Sequence, residues 1–468
     1  MENSKNNLLM MVSIAALILI LSIVGYFYFR TSNHAHVLHA TRHTTGIMAV
    51  QNWTTDEGLR VYFMPSPELP MVDMQLAVDA GSVRDTNILG VAYLTNSLLT
   101  QGSQDNTTDQ LANKLEGLGA QLSNEARRDV AVLNLRSLTA PRFLDPTLAL
   151  FTGVLQKPLF NDENVNREKK QVISEIQSLL ESPDAVAKHA FYMAIYKTHP
   201  YANPIHGEME TVAQIIPKDI AQFYTAHYNP ENAVLSIVGD LSIERAKEIA
   251  ETVSKALPEG KKLQALPAVI DQRTAVQLQV AFPSTQTHIM QGAPALRRND
   301  PDYFNLYVGN HILGGGSLVS RLFDKVREQR GLVYDVHSYF LPFREEGPFI
   351  IGLQTRNEEV NQALSVVDEA LREFIAKGPS AEELSAAKKN ITGSFNLQFS
   401  SNRTIAAQLA MLGYYELPLD YFKTFSDKIN AVTSEQIHKA FEAHVHPDNL
   451  ITVMVGPPPA NNNNSEKK

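Results

Sequence analysis

The 468-residue chain contains no cysteine. That absence excludes disulfides, thiol nucleophiles and cysteine-ligated metal centres. It suits an oxidising compartment, where a stray thiol is a liability. Charge is also sparse: Asp, Glu, Lys and Arg make up 19% of the chain, the formal net charge is -9, and no long basic run occurs. A nucleic-acid partner therefore has no electrostatic footprint here. Hydrophobic residues make up 44%, which marks a globular chain rather than a disordered one. The length exceeds what one compact core accommodates, so two or more domains are expected.

Charge is missing altogether from residues 8–29, LLMMVSIAALILILSIVGYFYF. At about 1.5 Å per residue, a helix of this length spans the roughly 30 Å hydrocarbon core of a bilayer. The run is longer than the apolar stretch of a signal peptide, about 7–15 residues. It ends in Tyr26, Phe27, Tyr28 and Phe29, side chains that suit a membrane interface. The expectation is an uncleaved single-pass inner-membrane anchor at 8–29, with the main body periplasmic or extracytoplasmic. A cleaved signal peptide and a soluble periplasmic form are the alternative. Lys5 and Arg30 flank the run and encode its orientation only weakly. Residues 30–45 read as a polar linker, although His34, His36, His39 and His43 leave metal collection open.

The body contains an internal repeat. Residues 220–239, IAQFYTAHYNPENAVLSIVG, align without gaps with residues 437–456, IHKAFEAHVHPDNLITVMVG, an offset of 437 − 220 = 217 positions. Ala226/Ala443, His227/His444, Pro230/Pro447, Asn232/Asn449 and Gly239/Gly456 are among the identities. The pattern is a helix, a turn closed by proline, and an apolar strand ending in glycine. A match of this length implies a duplicated domain. His227 and His444 then read as structural, because a unique active site has no need of both.

The duplication bounds a first domain at 46–260, an interdomain linker at 261–272 (KKLQALPAVIDQ), and a second domain at 273–456. The tail at 457–468, PPPANNNNSEKK, has too little apolar content to order itself. Within the first domain, residues 72–81 and 130–138 read as strands, and 90–100 and 111–118 as helices. A long helical stretch follows from 163 to 196, broken at Pro183. Strands and helices alternate without a regular βαβ rhythm. The fold class expected is α+β: two homologous domains after the transmembrane helix, each a largely antiparallel sheet packed with helices.

With these segments in view, the chain from 46 to 456 resembles the M16 (pitrilysin/insulinase-like) metallopeptidases of the short two-domain type. The residues that carry the resemblance are GVAYLTNSLLTQGS (90–103), VISEIQSLLESP (172–183), HPYANPIHG (199–207), YNPENAVLSIVGD (228–240) and ILGGGSLVSRLFDKVREQRGLVYDV (312–336). Gly314, Gly315 and Gly316 are followed by no Lys-Ser or Lys-Thr, so they do not form a phosphate cradle.

Active members of that family carry H-x-x-E-H on a helix, with two His one turn apart as zinc ligands and a Glu as base. The resemblance places Tyr93, Asn96 and Ser97 at the first His, the Glu and the second His. Tyr and Ser are protonated at neutral pH and ligate zinc poorly, and Asn accepts no proton as a base. No H-E-x-x-H or H-x-x-E-H string occurs in the chain. The family's third ligand, a Glu on a later helix, matches Glu175, and Glu168 matches an acid one heptad earlier. Seven residues are close to two turns, so both carboxylates share a face. One carboxylate without two His partners holds no zinc, and no metal is expected in this chain.

In the second domain, the family's backbone-binding Arg and Tyr, seven residues apart, match Arg327 and Tyr334. Arg330 lies nearby at the wrong spacing. A guanidinium and a phenol aimed at a carbonyl oxygen are suitable donors for developing negative charge. The resemblance therefore implies the zinc-free half of a heterodimer. Its partner would carry an intact H-x-x-E-H and the zinc, and an extended peptide would be the substrate. The alternative is a non-hydrolytic scaffold or peptide-binding protein like the respiratory core proteins. An autonomous hydrolase is disfavoured by the lost ligands and the lost base.

Overall fold

A computed structural model of the chain describes residues 50–270 and 274–458. The expected anchor at 8–29, the expected linker at 30–45 and nearly all of the tail at 457–468 lie outside the described residues. Among the described residues no helix is long and apolar enough to cross a membrane.

The first half opens with β1 (Gln51–Thr54), β2 (Arg60–Pro65) and β3 (Met71–Val78), then helix α1 (Val91–Leu98). A hairpin of β4 (Gln121–Ala126) and β5 (Ala131–Leu138) follows. Helices α2 (Asp162–Leu180), α3 (Pro183–Tyr196) and α4 (Pro217–His227) lead to β6 (Ala233–Gly239). The second half contains β7 (Val276–Ala281), β8 (Gln286–Leu296), α5 (Tyr303–Asn310), β9 (Val333–Phe340), β10 (Gly347–Arg356), α6 (Asn402–Tyr414), α7 (Ser434–His444) and β11 (Ile451–Gly456). Further helices complete the layers.

The break at Pro183 is a helix start with its own cap. Ser182 accepts a hydrogen bond from the Ala185 N–H at 3.4 Å, and proline takes the first helical position, where no N–H is needed. Helix α2 starts on Asn161, which accepts from the Asn164 N–H at 2.9 Å, and carries Asp162 and Glu163 in the turn where negative charge is favoured.

The two sheets share one topology. Their orders are β1-β2-β6-β3-β5-β4 and β7-β11-β8-β10-β9. Without β1 they correspond strand for strand. In each, the last strand runs parallel to the first and antiparallel to its other neighbour. Each sheet is thus mixed, with one parallel pairing in an otherwise antiparallel arrangement. The reason is the route of the chain: β6 and β11 return only after a long helical excursion, which permits parallel insertion beside the first strand. The repeat lies on this motif, with α4 and β6 matching α7 and β11.

The halves exchange helices. Helix α3 of the first half packs on β8 and β11 of the second, and α6 of the second packs on β2, β3 and β6 of the first. Phe191 on α3 is fully buried with Met290, Ile350 and Val453. Each such apolar side chain contributes roughly 1.5–3 kcal/mol by leaving water. On the other side Ala410 and Tyr414 bury against Ala77, Val130 and Val132, and the Ser236 hydroxyl donates to the Ala406 carbonyl at 2.7 Å. Polar groups join the halves as well. The Arg344 N–H donates to Asp129 Oδ2 at 2.9 Å, its Nη1 lies 3.1 Å from Asp79 Oδ2, and the Tyr414 hydroxyl donates to the Asp129 carbonyl at 2.7 Å. The connecting segment is strapped to the first half by Asn232, whose Oδ1 accepts the Leu263 N–H at 2.8 Å.

The exchange makes α6 sensitive to volume. A Cβ on Gly413 would collide with the Tyr62 ring and stand 2.7 Å from Val234 Cγ1. Gly413→Ala is expected to cost about 1–3 kcal/mol by overpacking. Gly393, exposed in the helix Ala381–Phe395, has nothing within 4 Å of its would-be Cβ. Gly393→Ala should gain about 0.5–1 kcal/mol from helix propensity. Urea titration checks both: the midpoints should move in opposite directions.

Candidate functional site

Helix α1 is positioned by its N-terminus. Asp85 accepts the Gly90 N–H at 2.7 Å and the Ala92 N–H at 2.8 Å. Burial pushes its carboxyl up to about 7 although both bonds favour the charged form. Gly90 has φ +92° and Gly207 φ +75°, and they sit back to back: a Cβ on Gly207 would stand 2.6 Å from Gly90 Cα. Only glycine permits this approach. It brings the loop containing His206 onto α1, where the His206 and Tyr93 rings lie 4.5 Å apart.

Tyr93 and Ser97, one turn apart, are both half-buried. The Tyr93 hydroxyl donates to Glu175 Oε2 on α2 at 3.0 Å. Gln171 Nε2 donates to the other oxygen, Oε1, at 3.0 Å. Burial pushes the Tyr93 phenol up, and the negative charge of Glu175 adds to that, so the phenol keeps its proton. Glu168 shares this face. Burial raises its carboxyl, the Glu175 charge raises it further, and Arg167 opposes both. Burial lowers the His206 imidazole against the pull of Glu175.

Asn96 turns inward and is 1% exposed. Its Nδ2 donates to the Val132 carbonyl at 3.4 Å and the Tyr228 hydroxyl at 3.3 Å, and its Oδ1 accepts from Asn124 Nδ2 at 3.2 Å. Zinc asks for two imidazole lone pairs and a nearby base. This donor set offers a protonated phenol already committed to Glu175, an amide committed to the core, and a serine. It does not fit the ion. Beside it lies a cleft of about 410 Å³ lined by Leu179, Leu180, His189, Tyr192 and His206.

The raised carboxyl of Glu168 makes a pH prediction. Below about pH 4.5 the carboxyl is protonated in both folded and unfolded chains and has no effect. As pH rises, the unfolded chain ionises first, so the group costs stability that is fully felt above its folded pKa. Glu168→Gln should therefore stabilise the protein at pH 7 and leave it unchanged near pH 4. Denaturation midpoints at the two pH values measure this; an equal shift at both would contradict it.

Arg327 and Tyr334 form a second group. Arg327 lies on the π-helical turn Phe323–Glu328, and Tyr334 on β9, the edge strand. The guanidinium carbon is 4.9 Å from the Tyr334 ring centroid and 4.6 Å from that of Phe323. Tyr334 is 73% exposed, so it is not a core packing residue. Arg330 turns back and donates to the Lys325 carbonyl at 3.0 Å. No hydrogen bond, ion pair or ring contact joins this group to the Tyr93–Glu175 group among the described residues.

Gln171, His206, Asn124 and Tyr228 were not among the residues singled out from the sequence. Gln171 had a usable signal, four positions before Glu175 on one helix face. His206 stood inside the HPYANPIHG segment. Tyr228 opened the YNPENAVLSIVGD segment, and Asn124 reaches the site from β4 and carries no local signal.

Comparison with known proteins agrees with this architecture. Residues 60–208 match the family described as insulinase (peptidase family M16), and residues 214–391 match the peptidase M16 inactive domain. A crystal structure of a peptidase M16 inactive domain from Pseudomonas fluorescens is 38% identical, with TM-score 0.84, and the match covers 87% of this chain and 98% of that one. The uncharacterized zinc protease YmxG of Bacillus subtilis is 24% identical over 83% of this chain and 94% of its own length. A Helicobacter pylori protein described as a non-peptidase homolog is 26% identical over 83% of this chain and 89% of its own.

Proposed function

The chain belongs to the M16 peptidase family, and from that premise we propose that it is a subunit of a heteromeric M16-type metalloendopeptidase that is zinc-free at the catalytic position. Its partner carries the intact H-x-x-E-H and the zinc. This chain binds peptide or unfolded segments and supports the transition state with Arg327 and Tyr334. The observation that carries the reading is the bond from the Tyr93 hydroxyl to Glu175: a protonated phenol offers the carboxylate a proton, whereas a metal ligand offers the ion a lone pair. The relative described as a non-peptidase homolog supports the same reading.

In this arrangement hydrolysis uses the partner's zinc. An extended peptide adds to an exposed sheet edge, and β4 and β9 are the edges available at the hairpin ends of the two sheets. Tyr334 is on β9, so a strand bound there passes close to the phenol and to the guanidinium stacked on it. Both groups donate to the substrate carbonyl oxygen as negative charge develops on it. The anchor at 8–29 tethers the complex to the inner membrane with its body in the periplasm. A scaffold without a part in hydrolysis is the second reading; the exposed Arg327–Tyr334 pair favours the first.

Metal analysis tests the premise. After dialysis against EDTA, the chain is expected to retain no zinc and to cleave no generic peptide by itself. One tightly held zinc per chain that disappears in Glu175→Gln would refute the reading.

A further inference from the structure

We propose that Asp300, Asp302 and His444 form a binding site for a divalent transition-metal ion in the second half, remote in sequence from the altered zinc motif. His444 closes α7. Its Nδ1 lies 2.9 Å from the Ala295 carbonyl oxygen. A carbonyl only accepts, so Nδ1 carries the proton. Nε2 then faces Asp302 Oδ2 at 3.3 Å and Asp300 Oδ1 at 3.9 Å. A neutral ring would aim a lone pair at two carboxylates, which is repulsive. Something positive belongs in that gap, either a proton on Nε2 or a metal ion.

The surroundings favour an ion. Among the described residues no Lys or Arg pairs with Asp300 or Asp302. The nearest guanidinium in sequence, Arg298, is turned to the Tyr303 hydroxyl at 2.7 Å and lies over the Tyr421 ring. Asp302 occupies the N-cap of α5 yet makes no capping bond to that helix. Its Oδ1 accepts from the Asn305 side chain at 2.9 Å and its other oxygen faces His444. Asp300 Oδ1 accepts the Asp302 N–H at 2.8 Å, which fixes the two carboxylates relative to each other. The three donor atoms lie within 4.8 Å of one another. Ligands about 2.1 Å from a common ion stand roughly 3.0–3.4 Å apart, so the His444–Asp302 pair is already at ligand spacing, the His444–Asp300 pair must close by about half an ångström or more, and side-chain rotation of the half-buried carboxylates must supply the rest. The Ala295 carbonyl supplies the outer hydrogen bond that orients a ligating imidazole.

The duplication supplies an internal comparison. His227, the repeat partner of His444, bonds the Phe223 carbonyl of its own helix at 2.9 Å and stacks on the Phe223 ring at 4.0 Å. It joins no such group of ligand atoms among the described residues. Of the two repeat histidines, His444 alone joins such a group among the described residues. One imidazole and two carboxylates select zinc or manganese over calcium and magnesium. All three residues are half-buried, which leaves room for water to complete the coordination. The ion would join the loop after β8 to the end of α7.

Titration calorimetry of the metal-free full chain with zinc chloride, and separately with manganese and calcium chlorides, tests the site. One zinc or manganese per chain is expected, with calcium weaker. His444→Ala and Asp302→Asn should each weaken binding at least about 100-fold, and Glu175→Gln and His227→Ala should leave it unchanged. Asp302→Asn keeps the shape and decides the matter if His444→Ala fails to fold. Absence of saturable binding by the parent would overturn the proposal and leave a proton as the occupant. Parent-like binding by a folded Asp302→Asn, or loss of binding in Glu175→Gln, would overturn it too.

Discussion

Arg327→Ala, mixed with a zinc-bearing partner, is expected to lower kcat about 10²–10³-fold while the complex still assembles. That is the usual consequence of deleting one donor to a developing oxyanion, roughly 3–4 kcal/mol. The geometry gives the guanidinium a fixed place: it lies between the Phe323 and Tyr334 rings, 4.6 and 4.9 Å from their centroids. A side chain held this way loses little freedom when it meets a carbonyl oxygen. Tyr334→Phe keeps the ring beneath Arg327 and removes only the hydroxyl, so it isolates the phenol's donation. Arg330→Ala is the spacing control, because that guanidinium is bonded to the Lys325 carbonyl. Each variant is measured at matched complex concentration, with assembly checked by sedimentation. A scaffold role predicts parent activity whenever assembly is intact. Equal activity of the Arg327→Ala and parent complexes would remove the donor role.

Much of this was legible in the sequence because it was local. The 217-position repeat exposed the duplication, and the shared strand order follows from it. Pro183 marked the junction of α2 and α3 because proline and a serine cap act within one turn. The absence of an H-x-x-E-H string was legible because it concerns residue chemistry at fixed helical spacing, and the assignment of Tyr93, Asn96 and Ser97 to its positions is part of the proposal. The helix exchange was not legible. Phe191 meets the second sheet at Met290, Ile350 and Val453, all distant in sequence, and no periodicity encodes which sheet an apolar helix face covers. The parallel pairing of β2 with β6 also escaped, because alternation within a strand says nothing of its neighbour's direction. His444 was read as structural by symmetry with His227. Its bond to the Ala295 carbonyl fits that reading; its approach to Asp300 and Asp302 had no signal, because they come from a segment outside the repeat.

Tyr93→His with Ser97→His and Asn96→Glu is expected to create a zinc site between α1 and α2. Positions 93 and 97 share one half-buried face of α1, and Glu175 already lies within hydrogen-bond reach of the side chain at 93. Removing the phenol frees one Glu175 oxygen, and Gln171 continues to hold the other, as the outer partner of a ligating carboxylate does. Affinity about 10–100-fold below a native site is expected, because the outer partners of the new imidazoles are not tuned. Asn96→Glu is the costly member. The side chain there is buried and faces the Val132 carbonyl, which a carboxylate would repel, although Tyr228 and Asn124 can donate to it. A stability loss of about 1–3 kcal/mol is expected from this change, and the Tyr93→His, Ser97→His double variant should bind zinc without it. Measurements in a His444→Ala background keep the second-half site from contributing. Adding Glu175→Gln should abolish binding. A folded triple variant with no Glu175-dependent zinc would mean that α1 and α2 do not present these positions to one ion.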